Sequence, residues 1–135
     1  MDIGEINSRL HGPARVKVGL PAGNSPGAVL DRAFWNEFGT ARIPERPALR
    51  NAMRANRGKY QSGMRKGAKM ILNGSASMRT ILSQLGIKAQ DDMKAEIVSL
   101  DSPPNAPCTV QQKESRNPLI DTGEYRQSIT WKIDE

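Results

Sequence analysis

From Pro47 to Leu100 apolar side chains recur close to every 3.6 residues, and the pattern is interrupted once, at Asn73-Gly74. Nothing else in the chain constrains the fold as strongly. Two helices joined by so short a stop must double back on each other as an antiparallel hairpin. In the first, from Pro47 to about Leu72, Leu49, Met53, Tyr60, Met64, Gly67, Ala68 and Ile71 share one broad stripe. Pro47 suits its first turn, where a missing amide hydrogen is harmless. The second begins after a Ser75 or Ser77 cap and runs to about Leu100, with Met78, Ile81, Leu82, Leu85, Ala89, Met93 and Ile97 in phase. Gly58, Gly63 and Gly67 each cost up to ~1 kcal/mol relative to alanine in a helix interior. They imply a kink or a close approach to a neighbouring element, and close approach is the reading adopted. Gly86 marks a bend in the second helix.

The flanking segments are extended or broken. Residues 14–20 alternate small or apolar with basic side chains, as a strand with Val16 and Val18 facing inward. Ser128 to Ile133 alternates in the same way and is expected to pair with it. Ala28 to Phe38 carries Val29, Leu30, Ala33, Phe34 and Phe38 at helical spacing, and Gly39 ends that helix. Ile43-Pro-Glu-Arg-Pro47 is a stiff connector, because each proline lacks an amide hydrogen and restricts the residue before it. The turn-forming runs near 21–27 and 101–117 read as mobile loops. The expected fold is α+β: one domain over 1–135, a small antiparallel sheet packed against a long antiparallel helical hairpin.

Twenty Lys and Arg against fourteen Asp and Glu give a net charge of +6. The excess lies in the middle of the chain, where the span from Arg42 to Lys69 holds Glu45 as its only carboxylate. Such a face favours polyanions or acidic protein surfaces. With only 4% aromatic residues, and Tyr60 alone among the central cations, there is little for base stacking or sequence-specific reading. Cys108 is the single cysteine and His11 the single histidine, so neither a disulfide nor a thiolate or multi-histidine metal cluster is expected. His11, flanked by Gly12-Pro13, reads as solvent-exposed. Asp91, Asp92 and Glu96 fall on one helical face, yet a divalent site needs further ligands from other elements, so a solvated face is the reading. The glycines lack the spacing and Lys-Ser or Lys-Thr ending of a phosphate loop. No cofactor and no catalytic constellation is expected. Neither a membrane-length apolar run nor a secretory leader is seen, so a soluble protein made in the cytoplasm is expected.

Two segments carry a resemblance. Asn36-Glu-Phe-Gly-Thr40 followed by Ile43-Pro-Glu-Arg-Pro-Ala-Leu-Arg50, and then Pro118-Leu-Ile-Asp-Thr-Gly-Glu-Tyr-Arg-Gln-Ser-Ile129, resemble in sequence, order and separation the signatures of tailed-bacteriophage tail-completion or neck proteins. Together they cover about a fifth of the chain. Ala48 stands where that family often has Phe, and Tyr125 where Leu is common. The resemblance singles out Glu37, Phe38, Gly39, Thr40, Pro44, Arg46, Pro47 and Arg50 in the first segment. In the second it singles out Leu119, Asp121, Thr122, Gly123 and Ser128. Physically these are folding residues: Gly39 and Gly123 permit turns, Pro44 and Pro47 stiffen the connector, Asp121 or Thr122 caps the turn into 124–128, and Arg46 and Arg50 can pair with Glu37 or Asp121.

The resemblance implies a structural virion subunit at the head–tail junction, a neck, tail-completion or tail-terminator protein. It would assemble in the host cytoplasm as a homo-oligomeric ring, a hexamer, with other phage neck and tail proteins. DNA would pass through without sequence-specific recognition, and Arg54, Arg57, Lys59, Arg65, Lys66 and Lys69 would face the channel or an acidic partner. The alternative from charge alone is a basic, non-specific DNA-binding module. A small hydrolase using Asp92 or Glu96 ranks third.

Overall fold

The computed structural model describes residues 2–20, 27–99 and 124–134. In chain order the elements are α1 (Ile3–Leu10), β1 (Arg15–Gly19), α2 (Gly27–Phe38), α3 (Ala48–Ala55), α4 (Arg57–Leu72), α5 (Met78–Ser99), α6 (Glu124–Ser128) and β2 (Thr130–Asp134). The expected arrangement is present: a two-stranded antiparallel sheet packs against helices, with the long α5 beneath it. The loops expected at 21–27 and 101–117, together with Leu119, Asp121, Thr122 and Gly123, lie outside the described residues, except Gly27, which opens α2.

β1 and β2 pair with Arg15 opposite Asp134, Val16 opposite Ile133 and Val18 opposite Trp131. Strand alternation therefore puts Val16, Val18, Trp131 and Ile133 on one face. That face comes down onto α5 at Gly86, where a Cβ would stand 2.9 Å from both Val16 Cγ2 and Trp131 Cε3. α5 runs unbroken through Gly86 over Met78–Ser99. The glycine is needed for the sheet's approach.

α4 and α5 form the hairpin. Gly67 meets Ile81, Gly63 meets Leu85 and Lys59 pairs with Asp92. Residue numbers rise on one helix as they fall on the other, so the pair is antiparallel. A Cβ at Gly67 would lie 2.4 Å from Ile81 Cγ2, which bears out close approach as the reason for that glycine. The turn is a Schellman motif: Gly74 N–H donates to the Ile71 carbonyl at 3.2 Å and Ser75 N–H to the Met70 carbonyl at 2.8 Å, with Gly74 at φ 87°. Ser77, of the two serines considered, is the cap of α5, its Oγ accepting from Thr80 N–H at 3.2 Å.

Three boundaries differ from expectation. The single helix over 47–72 is two, broken at Asn56 (φ −105°, ψ 7°). Asn56 donates both its backbone N–H (3.1 Å) and its side-chain amide (2.8 Å) to the Ala52 carbonyl. This local competition for a carbonyl is why asparagine is weak inside helices and common at their ends. Ser128 closes α6 rather than starting the last strand, which begins at Thr130. α1 was not expected at all; Asp2 Oδ1 accepts from Gly4 N–H at 3.3 Å at its start, and Arg9 lies against Gly74 in the hairpin turn.

The core is aliphatic, with alanine and isoleucine its commonest residues. Ala48, Ala52, Met93, Ile97 and Ile129 form its centre, with Val18, Leu20, Leu49 and Tyr125 packed around it. Ile129, between α6 and β2, is 1% exposed and anchors the end of the chain. No helix among the described residues is long and apolar enough to cross a membrane.

Candidate assembly interface

The first resembling segment closes on itself through hydrogen bonds. Gly39 ends α2 at φ 78°, donating to the Trp35 carbonyl at 2.7 Å, and a Cβ there would stand 3.2 Å from Glu45 N and 3.3 Å from Ile43 O. Thr40 N–H donates to the Ile43 carbonyl at 2.8 Å, while its Oγ1 accepts from Arg42 N–H (3.2 Å) and Ile43 N–H (3.0 Å). After the stiff step at Pro44, the backbone of Arg46 donates to the Asn36 carbonyl at 2.6 Å and its guanidinium to Asn36 Oδ1 at 3.1 Å. Arg46 is buried, which lowers its pKa from the ordinary arginine value.

Glu37 is the centre of this knot. Only 5% exposed, it accepts Leu49 N–H at Oε2 (3.2 Å) and Arg50 N–H at Oε1 (2.9 Å). Those amides belong to the first turn of α3, whose preceding residue, Pro47, offers no side-chain cap. A carboxylate from another helix thus satisfies the orphan donors and meets the positive end of the dipole. Arg50 neutralises it: Nε is 3.1 Å from Glu37 Oε1, and Nη2 donates to the Glu37 carbonyl and, at 2.6 Å, to Glu45 Oε1. The same guanidinium lies 4.8 Å from the centre of the Phe38 ring. Of the pairings considered from sequence, Arg50 takes Glu37; Arg46 bonds Asn36; Asp121 is outside the described residues.

The second segment meets the first. α6 packs on α2, and the Tyr125 hydroxyl is buried without a hydrogen-bond partner among the described residues. Burial, reinforced by the negative charge of Glu37, raises the phenol pKa above its ordinary value.

While the inner face of α2 is held by Val29, Ala33 and Glu37, its outer face is aromatic. Phe34 is 62% exposed, Trp35 44% and Phe38 54%, with the two phenylalanine rings 4.8 Å apart. Helical spacing alone grouped Phe34 and Phe38 with Val29, Leu30 and Ala33. The smaller stripe of Val29, Ala33 and Glu37 is the one that turns inward, and local spacing does not signal it, since a carboxylate ordinarily marks the solvent side.

The basic residues divide. Arg54, Arg57, Arg65, Lys66 and Lys69 are exposed and make no ion pair with a described residue. Lys59 differs, because its Nζ is 3.1 Å from Asp92 Oδ1. Asp92 Oδ2 also accepts the Tyr60 hydroxyl at 2.7 Å, and burial together with that bond raises the tyrosine pKa. Both Asp92 oxygens are therefore occupied by structural partners. Among the described residues no three His, Cys, Asp or Glu side chains converge as a metal site. His11 is exposed, with Nδ1 2.6 Å from the Asn7 carbonyl.

No protein-family model, curated protein or solved structure matches the chain.

Proposed function

We propose that this chain is a structural subunit of a phage head–tail junction, a neck, tail-completion or tail-terminator protein. It works in a ring, hexameric by the resemblance, around the passage for DNA, and its activity is binding rather than catalysis. The observation that carries this reading is the aromatic outer face of α2, fixed on a frame built by the two resembling segments. Three of the chain's aromatic side chains stand exposed on one helix while alanines and isoleucines fill much of the core. Aromatic side chains clustered on a rigid exposed face are typical of the energetic centre of a protein interface. The knot around Glu37 supports such a surface by removing the entropy that a loose helix would lose on docking.

Electron microscopy of particles made after deletion of the gene tests the proposal. Filled heads accumulating apart from tails, or tails with aberrant ends, are expected; normal infectious particles would overturn it.

The exposed cations on α4 favour a second reading, a non-specific DNA-binding module. Each phosphate neutralised adds about −0.9 to the slope of log affinity against log salt. Under this reading the isolated protein binds random-sequence duplex with a slope steeper than about −3. Under the ring proposal the isolated subunit shows no such grip.

A further inference from the structure

Between β1 and the helices runs an apolar groove of about 370 Å³, lined by residues 14–18, by Met53, Tyr60 and Met64, and by α5 residues including Leu85. A strand face contributes every second residue to a surface. Here four successive residues of β1, Arg15 to Val18, line the groove together with Ala14 just before the strand, and β2 contributes none. The groove is therefore bounded by the edge of β1 that faces away from β2. Beyond its pairing with β2, β1 makes no backbone hydrogen bond with a described residue. Among the described residues nothing occupies its peptide groups along that edge, and such a row is a template for another strand.

The walls decide what such a strand would be. Met53 and Met64 are 43% and 54% exposed, so alternate apolar side chains of an added strand have an adaptable surface to cover. The rim is cationic. The side chains of Arg15 and Lys17 are 79% and 71% exposed, though both lie near Asp134; Arg57 opens α4 one turn before Tyr60, and Lys59 pairs with Asp92. Of these, Arg15 and Lys17 line the groove and share one carboxylate, Asp134. Antiparallel pairing of β1 with the same strand of a second copy would bring Arg15 and Lys17 against their counterparts, which like charge opposes.

We infer that the free edge of β1, with the Met53–Met64 wall, binds by strand addition an extended segment of another protein in which apolar and acidic residues alternate. The inference does not depend on a role in the virion and concerns a surface distinct from α2.

Its test uses the full chain and a labelled, end-blocked peptide of about six residues alternating valine with glutamate. Saturable, salt-weakened binding is expected, with amide exchange slowed at alternate residues of β1. Methylating alternate peptide nitrogens abolishes binding. Met64→Glu, at an exposed position that leaves the fold intact, weakens it roughly tenfold or more, while Phe34→Ser on α2 leaves it unchanged. Equal binding of the peptide with lysine for glutamate overturns the inference. So does protection outside β1, or no saturation by about 1 mM. Concentration-dependent dimers that protect β1 without any peptide would assign the edge to a second copy and overturn it equally.

Discussion

Glu37 does at the scale of one residue what a local cap does elsewhere, but from a different helix. Its two oxygens, on a buried side chain, serve Leu49 N–H, Arg50 N–H and the Nε of a partly exposed Arg50. Glu37→Ala leaves those donors without an acceptor and is expected to cost about 2–3 kcal/mol, read by urea denaturation. Glu37→Gln, which keeps one acceptor, costs about half as much. Tyr125 presents the opposite case, a buried hydroxyl with no partner among the described residues. Tyr125→Phe is expected to hold or raise stability by up to about 1 kcal/mol. Both tyrosines with raised pKa also set a pH dependence. Folding holds Tyr60 and Tyr125 protonated above the ordinary value of 10.0, so above that pH the unfolded chain binds fewer protons than the native one. Their contribution is complete below pH 10 and is lost as pH rises toward the folded pKa values. The midpoint of urea unfolding falls with rising pH in that range, and the double variant Tyr60→Phe, Tyr125→Phe flattens the fall.

Helices here are shaped by where glycine permits contact. Gly58 meets nothing within 4 Å of a built Cβ, whereas Gly67 meets Ile81 at 2.4 Å and Gly86 meets Trp131 and Val16 at 2.9 Å. Gly58→Ala is therefore expected to stabilise by up to ~1 kcal/mol through helix propensity. Gly67→Ala and Gly86→Ala are each expected to destabilise by about 1–3 kcal/mol despite the same propensity gain, because the facing helix or sheet must move. Thermal denaturation of the three variants gives the signs directly. The strands, the hairpin and the Asn73-Gly74 stop were legible in the sequence because alternation, helical period and a left-handed glycine are local signals. α1 is legible too, in Asp2 ahead of Ile3, Ile6 and Leu10. The break at Asn56 was not, since it depends on a side-chain amide choosing one carbonyl over water.

Across the whole molecule, the proposed function places stability and assembly on opposite faces of α2. Trp35 is partly exposed and outside the Glu37 knot. Trp35→Glu is expected to change unfolding free energy by no more than about 0.5 kcal/mol, while particles complemented with it show the unjoined heads and tails of the deletion. A variant that unfolds would assign Trp35 to the fold; one that is stable and fully infectious would remove α2 from the interface.

The sequence by itself determined the α+β composition, the antiparallel hairpin and the two strands, because these follow from periodicity and turn chemistry within a few residues. It also marked the two segments that meet at Glu37. Tertiary structure alone decided that Glu37 caps α3, that Arg50 rather than Arg46 answers it, and that Asp92 is held by Lys59 and Tyr60. It also decided that Phe34 and Phe38 face outward. These depend on which side of each helix is covered by a distant part of the chain. Burial and charge pairing are properties of that juxtaposition, and no local spacing encodes them.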